Sequence, residues 1–248
     1  MSQSGFAAAV GCGTLSAAGG WDMALILAGY FLAAMSVSRF THQDDMPEVT
    51  RIVAKGDRRD AIQVVANGGA YSILAVLALL FHRSWILAGA LGALAASSSD
   101  SWATALGTRF GGRPRLITTG ETVRHGQSGG VTKAGLAGSL CGALIVPALS
   151  TLAGLPRGLA LASVVAGLFG STIDSLLGAA VQERRWCDTC GELTERKLHV
   201  CGDATRWVGG IQTVDNDVIN LVSTLAGSVS GVTFYLLIEW VASRSTIG

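Results

Sequence analysis

Apolar residues along this chain come in long runs. Those near residues 21–38, 61–81, 85–107, 131–153, 158–181 and 216–241 approach or exceed the roughly 20 residues that carry a helix across a bilayer. A shorter, weaker run covers 6–19. The pattern predicts an all-α fold: a polytopic bundle of about seven membrane-spanning helices, or six if the first run does not cross. It also predicts one membrane domain over 1–248, with a polar cytoplasmic loop, 182–215, ahead of the last span.

Composition agrees. Half of the 248 residues are hydrophobic and only 14% are charged, against about 25% in a soluble domain. The 33 glycines suit close helix approach in lipid. The first residues lack the basic stretch of a signal peptide, so no cleaved leader is expected. Charge then orients the bundle. Segments 39–60, 108–133 and 182–215 each hold five Lys or Arg residues, and only Arg83, Arg157 and Arg244 fall on the other side. By the positive-inside rule the three long loops are cytoplasmic, the N-terminus inside and the C-terminus outside. An active site facing the cytoplasm follows, because the opposite connections are only a few residues long.

Polar residues interrupt the spans at one depth. In "AASSSDSWATALGTRFGG", Asp100 lies seven residues, about 10 Å, inside the cytoplasmic end of its helix. Asp174 precedes Glu183 by nine residues in another span, and Asn67 lies six residues into the third. The last span opens with Asp215, Asp217 and Asn220. Helical spacing groups Ser97, Asp100, Thr104 and Thr108, then Gln63, Asn67 and Tyr71, then Asp217, Asn220 and Thr224. Ser/Thr stripes alone are ordinary interhelical hydrogen bonding. Asp215 fits a helix N-cap, and Asp217 a place favoured by the helix dipole. Asp100 and Asp174 have no cation one helical turn away, and an ionisable group in a span marks a functional site by default.

Beside these carboxylates lies "TRFGGRPRLITTGETVRHGQSGGVTKAG". Its glycines let backbone N–H groups approach phosphate oxygens, and Arg109, Arg113, Arg115 and Lys133 supply cationic charge. Gly129 and Gly130 lead into the fifth span, whose N-terminus favours an anion. One or two carboxylates together with substrate phosphates are a common Mg²⁺ site. The combination points to nucleotide chemistry on a membrane-embedded substrate.

The blocks "GDRRDAIQVVANGG", "SSSDSWATALGTRFGGRPRLITTGETVRHGQSGGVTKAG", "GSTIDSLLGAAVQ" and "VDNDVINLVSTLAGS" resemble the integral membrane family that includes plant phytyl-phosphate kinase. The resemblance runs from about Thr50 to the end. It implies phosphorylation of an isoprenyl monophosphate, such as phytyl phosphate, to the diphosphate, with CTP or another nucleoside triphosphate as donor. Asp100, Ala103, Gly107 and Gly111 are also similar to a pattern in the CTP-dependent polyprenol kinases and CDP-diglyceride synthases. The family's phosphate-loop pattern carries over onto Arg115, Thr118, Thr119, Gly120, Gly126, Ser128, Gly129 and Gly130.

A prenyl monophosphate has a second pKa near 6, so its attacking oxygen is largely ionised at neutral pH. Such a kinase needs positioning and charge neutralisation more than a general base. Asp100, Asp174 and Asp217 are therefore expected to bind Mg²⁺ or surround it, with Asn67 and Asn220 in the same polar layer. A prenol kinase would instead ask one of them to accept a hydroxyl proton, and the residues alone leave both open. A cytidylyltransferase acting on a lipid phosphate shares the same needs. A transporter fits less well, since its charges sit near the midplane. The expected partners are a nucleoside triphosphate, CTP first, an isoprenyl phosphate lipid and the bilayer, with no nucleic acid.

The third loop carries Cys187-x₂-Cys190-x₈-His199-x-Cys201, four soft ligands suited to a closed tetrahedral zinc site of structural role. A redox Cys-x-x-Cys pair is the competing reading. Cys12 and Cys141 sit in apolar spans as small packing residues, so no disulfide framework is expected.

Overall fold

The computed structural model describes residues 1–41, 47–54 and 59–245. Lys55 and Arg58, two of the charges used for orientation, lie outside the described residues. The chain runs α1 (Gln3–Gly19), α2 (Trp21–Thr41), short α3 (Pro47–Ile52), α4 (Ala61–Phe81), α5 (Ser84–Phe110), a hairpin of β1 (Arg115–Leu116) and β2 (Gly130–Val131), α6 (Lys133–Leu152), α7 (Arg157–Ala180), strands β3 (Arg184–Cys187), β4 (Glu192–Thr194) and β5 (Arg206–Gly209), and α8 (Asn216–Ser245). Each expected span is a helix. Five of them, α2, α4, α6, α7 and α8, are long and apolar enough to cross a membrane. The strands are an addition to the all-α expectation: they form the β1–β2 pair and an antiparallel sheet ordered β4-β3-β5, both in connections between spans.

α5 is not among the five, and its position explains why. It packs against α2, α4, α6, α7 and α8, and every residue from Ala88 to Ser99 is buried. A helix wrapped by other helices is solvated by protein rather than by lipid, so its composition is freed from the demand for an apolar outer face. The outward faces of its neighbours meet that demand instead, with exposed Leu25, Leu32, Leu161 and Val229.

Small residues permit this wrapping. A Cβ on Gly92 would lie 2.4 Å from the Gly227 carbonyl oxygen in α8, and one on Gly142 of α6 would lie 2.5 Å from that of Ser98. The backbones meet where only glycine fits. The serines of α5 then bridge the helices: Ser98 Oγ donates to the Gly142 carbonyl at 2.8 Å, and Ser99 Oγ to that of Ser139 at 2.9 Å. Ser97 Oγ donates to Asn67 Oδ1 of α4 at 2.8 Å and lies 2.7 Å from the Tyr30 hydroxyl of α2. The stripe thus holds α5 to three other helices and fixes the direction in which Asp100, one residue beyond, can face.

Candidate functional site

A cavity of about 350 Å³ opens at the end of the bundle where α3, the β1–β2 hairpin and the three-stranded sheet gather. Asp100 of α5 and Asp174 of α7 both line it, together with Asn67 of α4 and Asn220 of α8. The two carboxyl groups are close enough to interact directly with each other, and nearby Ser223 donates to the Asn220 carbonyl at 3.0 Å. Asp174 Oδ2 is nevertheless buried with no hydrogen-bond partner among the described residues. Two facing carboxylates, one with an orphaned oxygen, are a donor set that fits a hard divalent cation. Asn67 is held by its own turn, donating to the Gln63 carbonyl at 2.8 Å while accepting from Ser97.

The glycine loop forms the facing wall. Residues His125 to Gly130 line the cavity. Gly129 has φ = 78°, and a Cβ there would lie 2.5 Å from the backbone of Ala179 at the end of α7, so conformation and space both require glycine. The β1–β2 pairing and the bond from Ile117 N–H to the Gly129 carbonyl (2.9 Å) fold the loop back on itself. Thr132 caps α6 by accepting from the Gly135 N–H at 3.0 Å.

Several residues singled out from sequence stand elsewhere. Arg109, Arg113, Arg115, Thr118, Thr119 and Lys133 are exposed and do not line the cavity. Arg115 instead donates to the Gly120 carbonyl at 2.8 Å, bracing the hairpin turn. Asp217 is buried in the first turn of α8 but is not part of the cavity wall. Asp215 is a cap: its Oδ1 accepts from the N–H groups of Asp217 and Val218, both at 3.1 Å.

Among the described residues, the Arg side chains that do line the cavity are Arg59 and Arg196. Arg59 acts electrostatically on Asp100. It lies next to Asp60, whose carboxylate forms a capping box with Gln63 at the start of α4, and that capping pattern was the available signal for where Arg59 is held. Arg196 donates from Nε to the Thr50 carbonyl at 2.9 Å. Glu195 was also missed; it lines the cavity beside it and accepts from the Ser128 hydroxyl. Burial pushes the Glu195 carboxyl up to about 7, against the opposing effect of hydrogen bonds from Ser128 and the Ala54 backbone.

Cys187, Cys190, His199 and Cys201 come together, their ligand atoms all within 4.8 Å of one another. Cys187 Sγ lies 3.6 Å from Cys201 Sγ, and His199 Nδ1 lies 3.3 Å from the same sulfur. A disulfide needs about 2.05 Å. The edges of a tetrahedral Zn–S/N site, from bond lengths of about 2.0–2.3 Å, are roughly 3.5–3.8 Å. The cluster has the donors and spacing to hold a metal ion. The Asp203 backbone N–H and His199 draw the Cys201 thiol down to about 7, towards the thiolate a metal requires. Hydrogen bonding with Cys201 and burial push Cys190 up to about 11.

Comparison with known proteins gives a consistent picture. The profile of the family described as "Integral membrane protein DUF92" matches residues 1–228. Protein PGR of Arabidopsis thaliana is 29% identical over 242 residues, covering 87% of this chain and 82% of the relative. A membrane protein of Methanocaldococcus jannaschii is 29% identical over 218 residues, covering 87% and 77%. One of Synechocystis is 25% identical over 173 residues, covering 68% and 66%. No solved structure matches significantly.

Proposed function

The chain belongs to the integral membrane family DUF92, and from that premise and the geometry of its cavity we propose that it is a membrane-embedded kinase. The acceptor is an isoprenyl monophosphate such as phytyl phosphate, the donor CTP or another nucleoside triphosphate, and the product the diphosphate. One observation carries the reading: Asp100 and Asp174 face each other on a cavity wall opposite the glycine loop, with Arg59 alongside. Two recessed like charges call for a cation, and the loop supplies a surface on which phosphates can lie.

In this reaction an oxygen of the acceptor phosphate attacks the γ-phosphorus of the donor. A new P–O bond forms, the β–γ bridging P–O bond breaks, and nucleoside diphosphate leaves with the electron pair. The attacking oxygen is already ionised, so no residue needs to remove a proton from it. Asp100 and Asp174 would hold Mg²⁺, which when bound neutralises charge on the donor phosphates. Arg59 and Arg196 stand where they can offset charge on the phosphates, and Asn67 and Asn220 can orient them. Ala34 and Val37 of α2 and Leu136 of α6 give the same cavity an apolar side, suited to a prenyl chain arriving from the lipid.

The zinc assignment belongs to the same reading. Three thiols and one imidazole are the soft set that zinc takes in closed structural sites. The 15-to-3 division of basic residues supports a cytoplasmic placement for the cavity and the metal cluster.

Purified protein incubated with γ-labelled and α-labelled CTP and a panel of prenols and prenyl phosphates tests the reaction class. Label transfer from the γ position with release of CDP is the expected result. Pyrophosphate release with CMP transfer would make the protein a cytidylyltransferase, and absence of any transfer across the panel would refute the kinase reading.

A further inference from the structure

The metal cluster and the glycine loop were separate motifs in the sequence, yet one short segment touches both. β4 carries Glu192, whose side chain is only 12% exposed. Its Oε1 lies 3.2 Å from His199 Nε2, the ring nitrogen opposite the one that faces Cys201, within ion-pair reach but outside hydrogen-bond alignment. The same carboxylate reaches Arg124 of the glycine loop at 3.3 Å and Arg51 of α3 at 3.5 Å. Three residues later Glu195 accepts from Ser128, four residues further along the loop. The segment therefore grips the loop at two points, on either side of His125 to Gln127, which line the cavity.

What keeps that segment in place is not a hydrophobic core. Between α7 and α8 the side chains of Leu198, Val200, Trp207 and Ile211 are exposed, while Thr194, His199 and Thr205 are buried. Three short strands and scattered hydrogen bonds tie the segment together, among them Arg185 Nε to Thr205 Oγ1 and the Glu195 N–H to the Ile52 carbonyl, both at 2.8 Å. A unit that buries so little apolar surface needs a cross-link, and a metal bound across Cys187 and Cys201 supplies one. A carboxylate bonded to the far nitrogen of a ligating histidine fixes the ring's tautomer and orientation. A small turn of the His199 ring on binding metal through its near nitrogen would bring Nε2–H into line with Glu192 and fix the carboxylate in return.

We propose that the Cys187/Cys190/His199/Cys201 centre is the anchor of the glycine loop, with Glu192 as the positioning residue that transmits metal occupancy to Arg124. Glu195 is the second tether. The metal thus acts on the cavity without entering it. The proposal uses the zinc assignment above but does not depend on phosphoryl transfer.

Amide hydrogen exchange on the full-length, detergent-solubilised protein, paired with metal analysis, tests it. Protein kept reduced and free of chelator should contain about one zinc per chain. Stripping the zinc should accelerate exchange in the peptide covering 117–131 by about tenfold or more, with α6 and α7 unchanged, and added zinc should restore protection. Glu192→Gln keeps all four ligands, so it should retain the zinc yet loosen the same peptide. Should stripping loosen the whole protein, Glu192→Gln alone decides, because its fold and metal stay intact. Unchanged exchange in 117–131 in that variant, or after zinc loss in an otherwise folded protein, would overturn the coupling alone. Metal-free protein at the outset would overturn the zinc assignment and the coupling together, leaving the kinase reading to its own assay.

Discussion

Asp100→Asn separates two roles that a recessed carboxylate can play. If Asp100 were there for packing or hydrogen bonding, the amide would preserve shape and cost little. If it is there to hold a cation with Asp174, the substitution removes a charge that the bound state needs and the unbound state is better without. Two like charges about 4 Å apart repel by ~4 kcal/mol at an effective dielectric near 20, so relief of that repulsion is an upper bound on the stability gained without metal. The transition state loses in the opposite direction. Removing one preorganised electrostatic contact costs about 3–4 kcal/mol, a fall in turnover of roughly 10²–10³. The two signs together are diagnostic. In detergent, Asp100→Asn should melt at or above the parent without Mg²⁺, should lose the parent's Mg²⁺-dependent rise in Tm, and should transfer phosphate at a hundredth of the rate or less. A well-folded variant with near-parental transfer, or with its Mg²⁺ stabilisation intact, would refute the assignment.

Gly129→Ala should cost about 1–3 kcal/mol, since its φ of 78° is unfavourable for alanine and the new methyl meets the Ala179 backbone; thermal melts and transfer rates measure it, and a neutral result would contradict the packed loop. Thr122→Cys, made with Cys12 and Cys141 replaced by Ala, should gain maleimide labelling over that parent only from the cytoplasmic side, and labelling from outside would reverse the orientation. The raised pKa of Glu195 gives a pH prediction. Its protonated form is favoured in the folded protein, so the stabilisation is complete below the ordinary value of 4.5 and is lost as pH rises through about 7. Glu195→Gln should therefore gain in Tm relative to the parent between pH 4.5 and 8, and a pH-independent difference would contradict the burial of that carboxylate.

Legibility in the sequence followed the range of the interactions involved. The spans were readable because bilayer length and apolarity are local properties, and the boundaries of α4 match the expected 61–81. Asp100, Asp174, Asn67 and Asn220 were readable because a polar group at helical spacing inside an apolar run has one direction to face, and all four line the cavity. The Cys187/Cys190/His199/Cys201 cluster was readable from ligand spacing. Side chains on the loops were not. Arg109 and Lys133 at the facing ends of α5 and α6, and Arg113 and Arg115 at the hairpin between them, point away from the cavity, in directions that composition does not encode. Glu195 and Arg196 reach the cavity through contacts such as that of Thr194 Oγ1 with the Arg51 carbonyl at 2.8 Å, across 143 positions of sequence. Nothing local reports a contact of that span.

The burial of α5 also bears on how the protein is made. During synthesis this helix meets the translocon before α6, α7 and α8 exist, and its four serines and Asp100 around positions 97–101 make it a poor candidate for lipid on its own. An Asp at a helix centre costs about 2.5–3.5 kcal/mol on insertion scales, an upper bound for Asp100, which lies nearer the cytoplasmic end. The helices that will shield it on three sides are translated later, the last being α8, which closes over Gly92. Membrane integration of α5 is then a cooperative event, with the segment retained at or near the translocon until its partners emerge. In a nascent chain truncated before α8, α5 should stay crosslinkable to the insertion machinery, so the polar stripe that builds the cavity also sets a quality-control checkpoint on the protein's assembly.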